Sequence, residues 1–203
     1  MISRMTKTKQ EKKNTLQTPN GVNLVAGNLY GLNVLANIGC DATVNGRVGS
    51  TINLDKVVFR IRFSTLAGVT TRFRMIVFWS DMVITNASSF GITTSGSVTA
   101  NWPLLGPNTA GNTTHMPLTV EKSTVVKDYC FVVNAQSASA AEAEKVVTCY
   151  FKSKKITFQE PAAPSLLEGK QLYLAVLSDA GAATLGTTST GSMNCTYQIF
   201  FRE

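Results

Sequence analysis

Beyond Thr51 the sequence alternates apolar and polar residues with a period of two, in one run after another, and β-branched and aromatic residues fill the apolar positions. In Phe59-Arg60-Ile61-Arg62-Phe63 a strand places Phe59, Ile61 and Phe63 on one side and both arginines on the other. The pattern returns in Arg72-Phe73-Arg74, where Phe73, Met75, Val77 and Trp79 make the apolar side. Only Leu66 to Val69 separate the two runs, a spacing that predicts a hairpin with Arg60, Arg62, Arg72 and Arg74 on one sheet surface.

Extending the same reading predicts eight strands: Ile52 to Thr65, Thr70 to Asp81, Met116 to Glu121, Thr124 to Asn134, Lys145 to Tyr150, Lys154 to Phe158, Gln171 to Ser178 and Met193 to Arg202. Between Asn86 and Asn112 the chain is rich in Gly, Ser, Thr and Asn, and Trp102-Pro103 and Gly106-Pro107 argue for a long loop. Only Ser137 to Glu144, with four alanines, has helix-favouring composition, enough for a single turn. Eight strands without a long helix fit a β-sandwich or a jelly roll, and composition does not separate the two.

The N-terminal region differs. Residues 1–14 read as a flexible basic arm, with Arg4, Lys7, Lys9, Lys12 and Lys13 against the single acid Glu11, so much of the chain's net charge of +7 resides there. Clustered cations on a flexible segment suit nonspecific binding of a polyanion; a solubility tail and a nuclear-import signal are the alternatives. Residues 15–50 are Asn- and Gly-rich with scattered apolar pairs such as Leu24-Val25 and Val34-Leu35, which predicts an irregular connector before the main domain at 51–203. Charged residues make up only 15% of the 203, low for a protein that keeps its whole surface in water, so partners are expected to cover part of it. The four paired arginines admit two readings, a patch facing packaged nucleic acid, or solvated charges and ion pairs to a neighbouring subunit. Lys152, Lys154 and Lys155 read as guards of a strand edge.

Little points to catalysis or to a membrane. Ser-His-Asp and Cys-His machinery needs a histidine base, and the one histidine, His115, sits beside Pro117 in the loop region. No phosphate-binding loop, dinucleotide fingerprint or H-E-x-x-H occurs. Asp81, Asp128, Asp179 and Glu203 have the oxygen chemistry of calcium ligands, but isolated carboxylates at strand ends are usually turn residues, so neither metal nor cofactor is expected. Cys40, Cys130, Cys149 and Cys195 are too dispersed for a zinc or redox motif and are expected as reduced, buried thiols. Residues 1–14 lack the apolar stretch of a secretory signal, so the sequons at Asn86, Asn112 and Asn194 are expected to stay bare; no run is long enough to insert in a membrane.

Arg47-Val48-Gly49-Ser50-Thr51-Ile52 leading into Val57 to Phe63, followed by Phe73 to Asp81, resembles the first two jelly-roll strands of coat proteins of satellite viruses of the tobacco necrosis type, which are themselves similar to capsid proteins of small circular single-stranded DNA viruses. Thr124-Val125-Val126-Lys127-Asp128 resembles the strand carrying a Lys-Asp pair in that family, Gln171 to Asp179 its penultimate strand, and Cys195 to Arg202 its closing one. The resemblance implies an all-β, eight-stranded jelly roll of two packed four-stranded antiparallel sheets, with an inward-pointing basic N-terminal arm. It further implies self-assembly of about sixty copies into the simplest icosahedral shell around single-stranded nucleic acid, no enzymatic activity, and residence in the virion after synthesis in the host cytoplasm, with possible passage through the nucleus. The arm here is shorter and richer in lysine than in relatives that package DNA, which leaves RNA and DNA open and gives Arg60, Arg62, Arg72 and Arg74 a share of the packaging. A lectin-like or cytokine-like sandwich that binds through the Asn86 to Asn112 loop is the alternative, but gives no reason for the basic arm. A single-strand-binding protein working outside any shell needs exposed aromatics among its cations, whereas Phe59, Phe63 and Phe73 are expected in the core.

Overall fold

A computed structural model describes residues 11–26, 28–40, 46–81, 90–93, 123–135, 139–159, 166–180 and 189–203. Ten strands run through them: β1 (Lys12–Gln17), β2 (Val22–Val25), β3 (Leu29–Asn33), β4 (Thr51–Thr65), β5 (Thr70–Ser80), β6 (Gly91–Thr93), β7 (Ser123–Asn134), β8 (Glu142–Thr157), β9 (Gln171–Ala180) and β10 (Ser189–Arg202). They form two five-stranded antiparallel sheets. Sheet I has the order β1-β10-β4-β8, with β2 also on β10, and sheet II the order β6-β3-β9-β5-β7.

The pairing is nested. β1 and β2 pair the last strand, β3 the penultimate one, β4 pairs β8, and β5 pairs β7. The chain is therefore one long hairpin with its tip between β5 and β7, rolled until β10 meets β4 and β9 meets β5, which is the jelly roll expected from the sequence. β1 and β2 lie along successive stretches of β10 and act as one interrupted edge strand, and β6 is an addition beside β3.

Period-two alternation builds the core. Ile52, Leu54, Val57, Phe59, Ile61 and Phe63 of β4 are fully buried, and they face Phe73, Met75, Val77 and Trp79 of β5 across the sandwich. The Phe63 and Phe73 rings lie 4.8 Å apart by centroid, and Phe131 of β7 closes the group at 5.0 and 5.6 Å. This corrects the expected β4-β5 hairpin: the two strands belong to different sheets, because their apolar sides pack against each other instead of lying side by side. The link Leu66 to Val69 is an arch between sheets, turned by a Val69 N–H donating to Leu66 O at 3.2 Å, with Gly68 at a φ of 71°.

Sheet II carries apolar residues on its other side too. Leu29, Ile76, Phe78, Tyr173, Ala175 and Leu177 form a second cluster, all buried. A sheet covered on both faces reads in sequence as a continuous apolar run, as in Leu172 to Leu177.

Three other expectations change. Residues 15–50 are not an irregular connector: β2, β3 and the second half of β1 lie there, and Leu24, Tyr30, Leu32, Val34, Leu35 and Ile38 are fully buried. Asn and Gly dilute the alternation, but the Tyr30 hydroxyl accepts the Val25 N–H at 3.0 Å and the strands pair in full. The two strands read at Lys145 to Tyr150 and Lys154 to Phe158 are a single strand, β8, with an irregularity between them where Lys152 and Ser153 take φ of 48° and 60°. Ala143 and Glu144, read as helix-favouring, belong to β8, since pairing with β4 turns Ala143 to the core and both Glu142 and Glu144 to solvent. The strand expected at Met116 to Glu121, and most of the Asn86 to Asn112 loop, lie outside the described residues.

Of the cysteines, Cys149 and Cys195 are buried but Cys40 and Cys130 are exposed, which corrects the expectation of four buried thiols. Burial pushes the Cys149 thiol up to about 11, partly countered by Lys127, and Cys195 up to about 12. Two thiols per chain should therefore react with an aromatic disulfide reagent at pH 8 in the native protein and four after unfolding; four fast thiols in the native state would contradict this burial. A second test uses Gly191, at a register shift of β10, where an added Cβ would lie 2.0 Å from Ser64 O. Gly191→Ala should cost about 1–3 kcal/mol in urea unfolding.

Candidate nucleic-acid interface

The ends of the chain are tied together before any surface charge is free to act. Lys13, although part of the predicted arm, is a β1 residue whose side chain is 2% exposed, and its Nζ lies 2.9 Å from Glu203 Oε2. The same ammonium donates to Gly46 O at 3.2 Å, and Glu203 also accepts the Val48 N–H. Beside them Arg47 is fully buried, donating from Nε to Ile38 O at 3.2 Å and from Nη1 to Gly49 O, with its guanidinium 4.2 Å from the Phe158 ring centre. Buried cations persist only when satisfied in this way. Lys13 is thus a structural residue, which corrects its assignment to a nucleic-acid-binding arm. Lys12, its neighbour, is exposed; Arg4, Lys7 and Lys9 lie outside the described residues.

The four arginines do not share a surface. Arg60 and Arg62 are exposed on the outer side of sheet I, while Arg72 and Arg74 belong to the outer side of sheet II. The apolar sides of β4 and β5 face one another, so their polar sides point in opposite directions. Arg74 is buried and held by Asp128 in a fork, Nε to Oδ1 at 2.9 Å and Nη2 to Oδ2 at 2.7 Å. Arg72 is opposite Asp179 in the β5–β9 register. Arg62 is paired with Glu142, its Nε 3.0 Å from Oε2. Of the four, Arg60 alone combines an exposed position with the absence of an acidic partner among the described residues. Asp128 and Glu203, considered as calcium ligands, are engaged by Arg74 and Lys13.

Cations line up instead at the end of sheet I where β1 begins, and of these the sequence reading passed over Lys56 and Arg202. The register runs Lys12, Arg202, Asn53, Lys155 across β1, β10, β4 and β8, and in the next row Asn14, Phe200, Lys56, Tyr150. Arg202 is neutralised by a fork onto Asp55, Nη2 to Oδ1 at 2.7 Å and Nε to Oδ2 at 2.9 Å. Lys12, Lys56 and Lys155 form no ion pair among the described residues. Lys56 Nζ lies 4.4 Å over the Phe200 ring. A break in the alternation, Asp55-Lys56 between inward Leu54 and Val57, was the sequence signal for this row, since it marks the bulge that turns Lys56 outward. At the β8 edge Lys154 sits 3.7 Å over the Trp79 ring, and burial, then repulsion from Lys170, lowers its pKa.

No family model matches this chain, and no curated protein does. Among solved structures, a chain of Desmodium yellow mottle tymovirus is similar over 100% of this chain and 93% of its own length, at 10% identity and a TM-score of 0.37. VP1 from an unassembled KI polyomavirus pentamer aligns over 100% of this chain and 70% of its own, at 14% identity and a TM-score of 0.19. VP1 from a human polyomavirus 6 pentamer aligns over 100% and 97%, at 11% identity and a TM-score of 0.22. At these scores the jelly roll rests on the strand pairing described above.

Proposed function

We propose that this chain is the coat protein of a small icosahedral virus, assembling in about sixty copies around single-stranded nucleic acid. One observation carries the reading: the basic N-terminal residues lead directly into β1, an edge strand of the sheet whose outer side holds Lys12, Lys56, Arg60 and Lys155, cations with no ion pair among the described residues. A tail of this charge continuous with a cationic sheet supplies polyanion affinity without sequence preference. The opposite flank of the sandwich supports contacts between copies. β7 and β8 end their sheets there as strands of 12 and 16 residues, and Tyr129 and Val132 of β7 are 44% and 47% exposed. Long open edges with apolar residues are surfaces that association would cover. The function asks no catalytic chemistry of the chain; its partners are copies of itself and the genome.

Sedimentation tests the reading. The purified full-length chain at moderate salt should form large uniform particles whose nucleic acid resists nuclease; a persistent monomer or trimer would overturn it. Removing residues 1–10 should reduce packaged nucleic acid while leaving urea stability unchanged. Lys13→Met, by contrast, should lower stability by about 1–3 kcal/mol, because it leaves Glu203 and Gly46 O without their cation. Unchanged cargo after loss of residues 1–10 would remove the arm from the proposal.

A further inference from the structure

We infer that the arm-bearing end of sheet I is a base-stacking platform for single-stranded nucleic acid, in which the exposed ring of Tyr150 stacks on bases while Lys56, Lys12 and Lys155 hold the phosphates. The inference rests on the coat-protein reading and assigns its cargo a site outside the arm. Tyr150 is the most exposed large apolar residue among those described, at 73%, and its chain neighbour Cys149 is buried in the core, so the ring stands off the outer side of the sheet. It is directly opposite Lys56, and Lys56 is directly opposite Phe200, whose ring the ammonium already covers at 4.4 Å. An aromatic ring and a cation side by side on an open strand surface are the two parts that sequence-tolerant single-strand binding combines, since every base has a π face and every nucleotide a phosphate.

Charge selects nucleic acid over a second copy of the chain as occupant. Opposite Tyr150 is Lys56, and the adjoining row carries Lys155 on the same strand and Lys12 across the sheet, while Asp55 is already occupied by Arg202. The acids Glu142 and Glu144 lie at the far end of β8, beside Arg62. An identical copy laid on this end would bring lysine against lysine. The irregularity at Lys152 and Ser153 adds a fourth cation, Lys152, at the margin and fixes the platform: the Ser153 hydroxyl donates to Asp55 Oδ1 at 3.0 Å and is also bonded by Arg202.

The test measures binding of fluorescent twenty-residue oligo(dT) and oligo(U), and of inorganic polyphosphate as a probe with charge but no bases, to the full-length protein over a salt series. Particle formation is followed in parallel by sedimentation. Tyr150→Leu keeps apolar bulk but removes the flat ring, and should weaken oligonucleotide binding about tenfold while leaving polyphosphate binding unchanged. Tyr150→Phe should bind as the parent does. Lys56→Gln should weaken all three ligands and reduce the magnitude of the log–log salt slope by about 0.7. The inference is overturned if Tyr150→Leu binds oligonucleotides like the parent, or loses polyphosphate to the same degree. It is equally overturned if Tyr150→Leu binds normally but stops assembling, which would make this surface a contact between copies. If the parent protein binds no oligonucleotide at all, the packaging reading itself fails.

Discussion

The contact that organises this molecule is the meeting of two apolar stripes, β4 from one sheet and β5 from the other, with Phe63, Phe73 and Phe131 at the point of closest approach. Burial of aromatic and branched side chains is the largest favourable term such a fold has, and a sandwich is the arrangement that lets both stripes bury at once. The orientation of the polar residues on both strands then follows. Arg60 and Arg62 must point away from Arg72 and Arg74, because the same packing that joins the strands at their apolar sides sets their polar sides back to back. The two outer surfaces consequently differ: sheet II has Arg74 neutralised by Asp128 and much of its surface buried, while Lys12, Lys56 and Lys155 of sheet I form no ion pair among the described residues.

Nested pairing brings the first and last strands together, and a small group of charges holds that junction. Lys13, Glu203 and Arg47 come from three distant stretches of chain, and each is satisfied by the others or by backbone around residues 38–49. Such a group contributes little net stability over an apolar substitute, yet losing one member strands the rest. It therefore fixes where the basic N-terminal residues leave the sandwich, at the end of sheet I that carries Lys12 and Lys56, and so links the fold to the surface assigned to the nucleic acid.

Much of the fold could be read from residues 51–203, where period two is strong. The strands β4, β5, β7, β9 and β10 lie close to their expected places, and the inward residues of β4 and β5 are those the alternation names. What could not be read was which strands share a sheet. A four-residue link fits a hairpin and an arch equally well, and the decision lies in whether two apolar sides meet face to face, a tertiary fact. The early strands were hidden for another reason: β3 is buried on both sides and only five residues long, so Leu29 to Asn33 shows neither alternation nor length. At the site, Lys13 looked like any arm lysine because its partner is 190 residues away at Glu203, and Tyr150 looked like an ordinary strand residue until its register with Lys56 placed it beside a cation.

The kink in β8 has a bearing on how copies of this chain meet. An uninterrupted edge of 16 residues would offer a straight row of unsatisfied amides along which identical molecules add end upon end, and growth of that kind never closes. Lys152 and Ser153, in a left-handed backbone conformation that branched residues avoid, interrupt the edge between Phe151 and Lys154. A copy adding along this edge meets a break in its row of amides, which favours contacts made by side chains over one unbroken ladder. Two backbone torsions in one edge strand thus work against open-ended ribbon growth, a property that the proposed closed shell requires of its subunits.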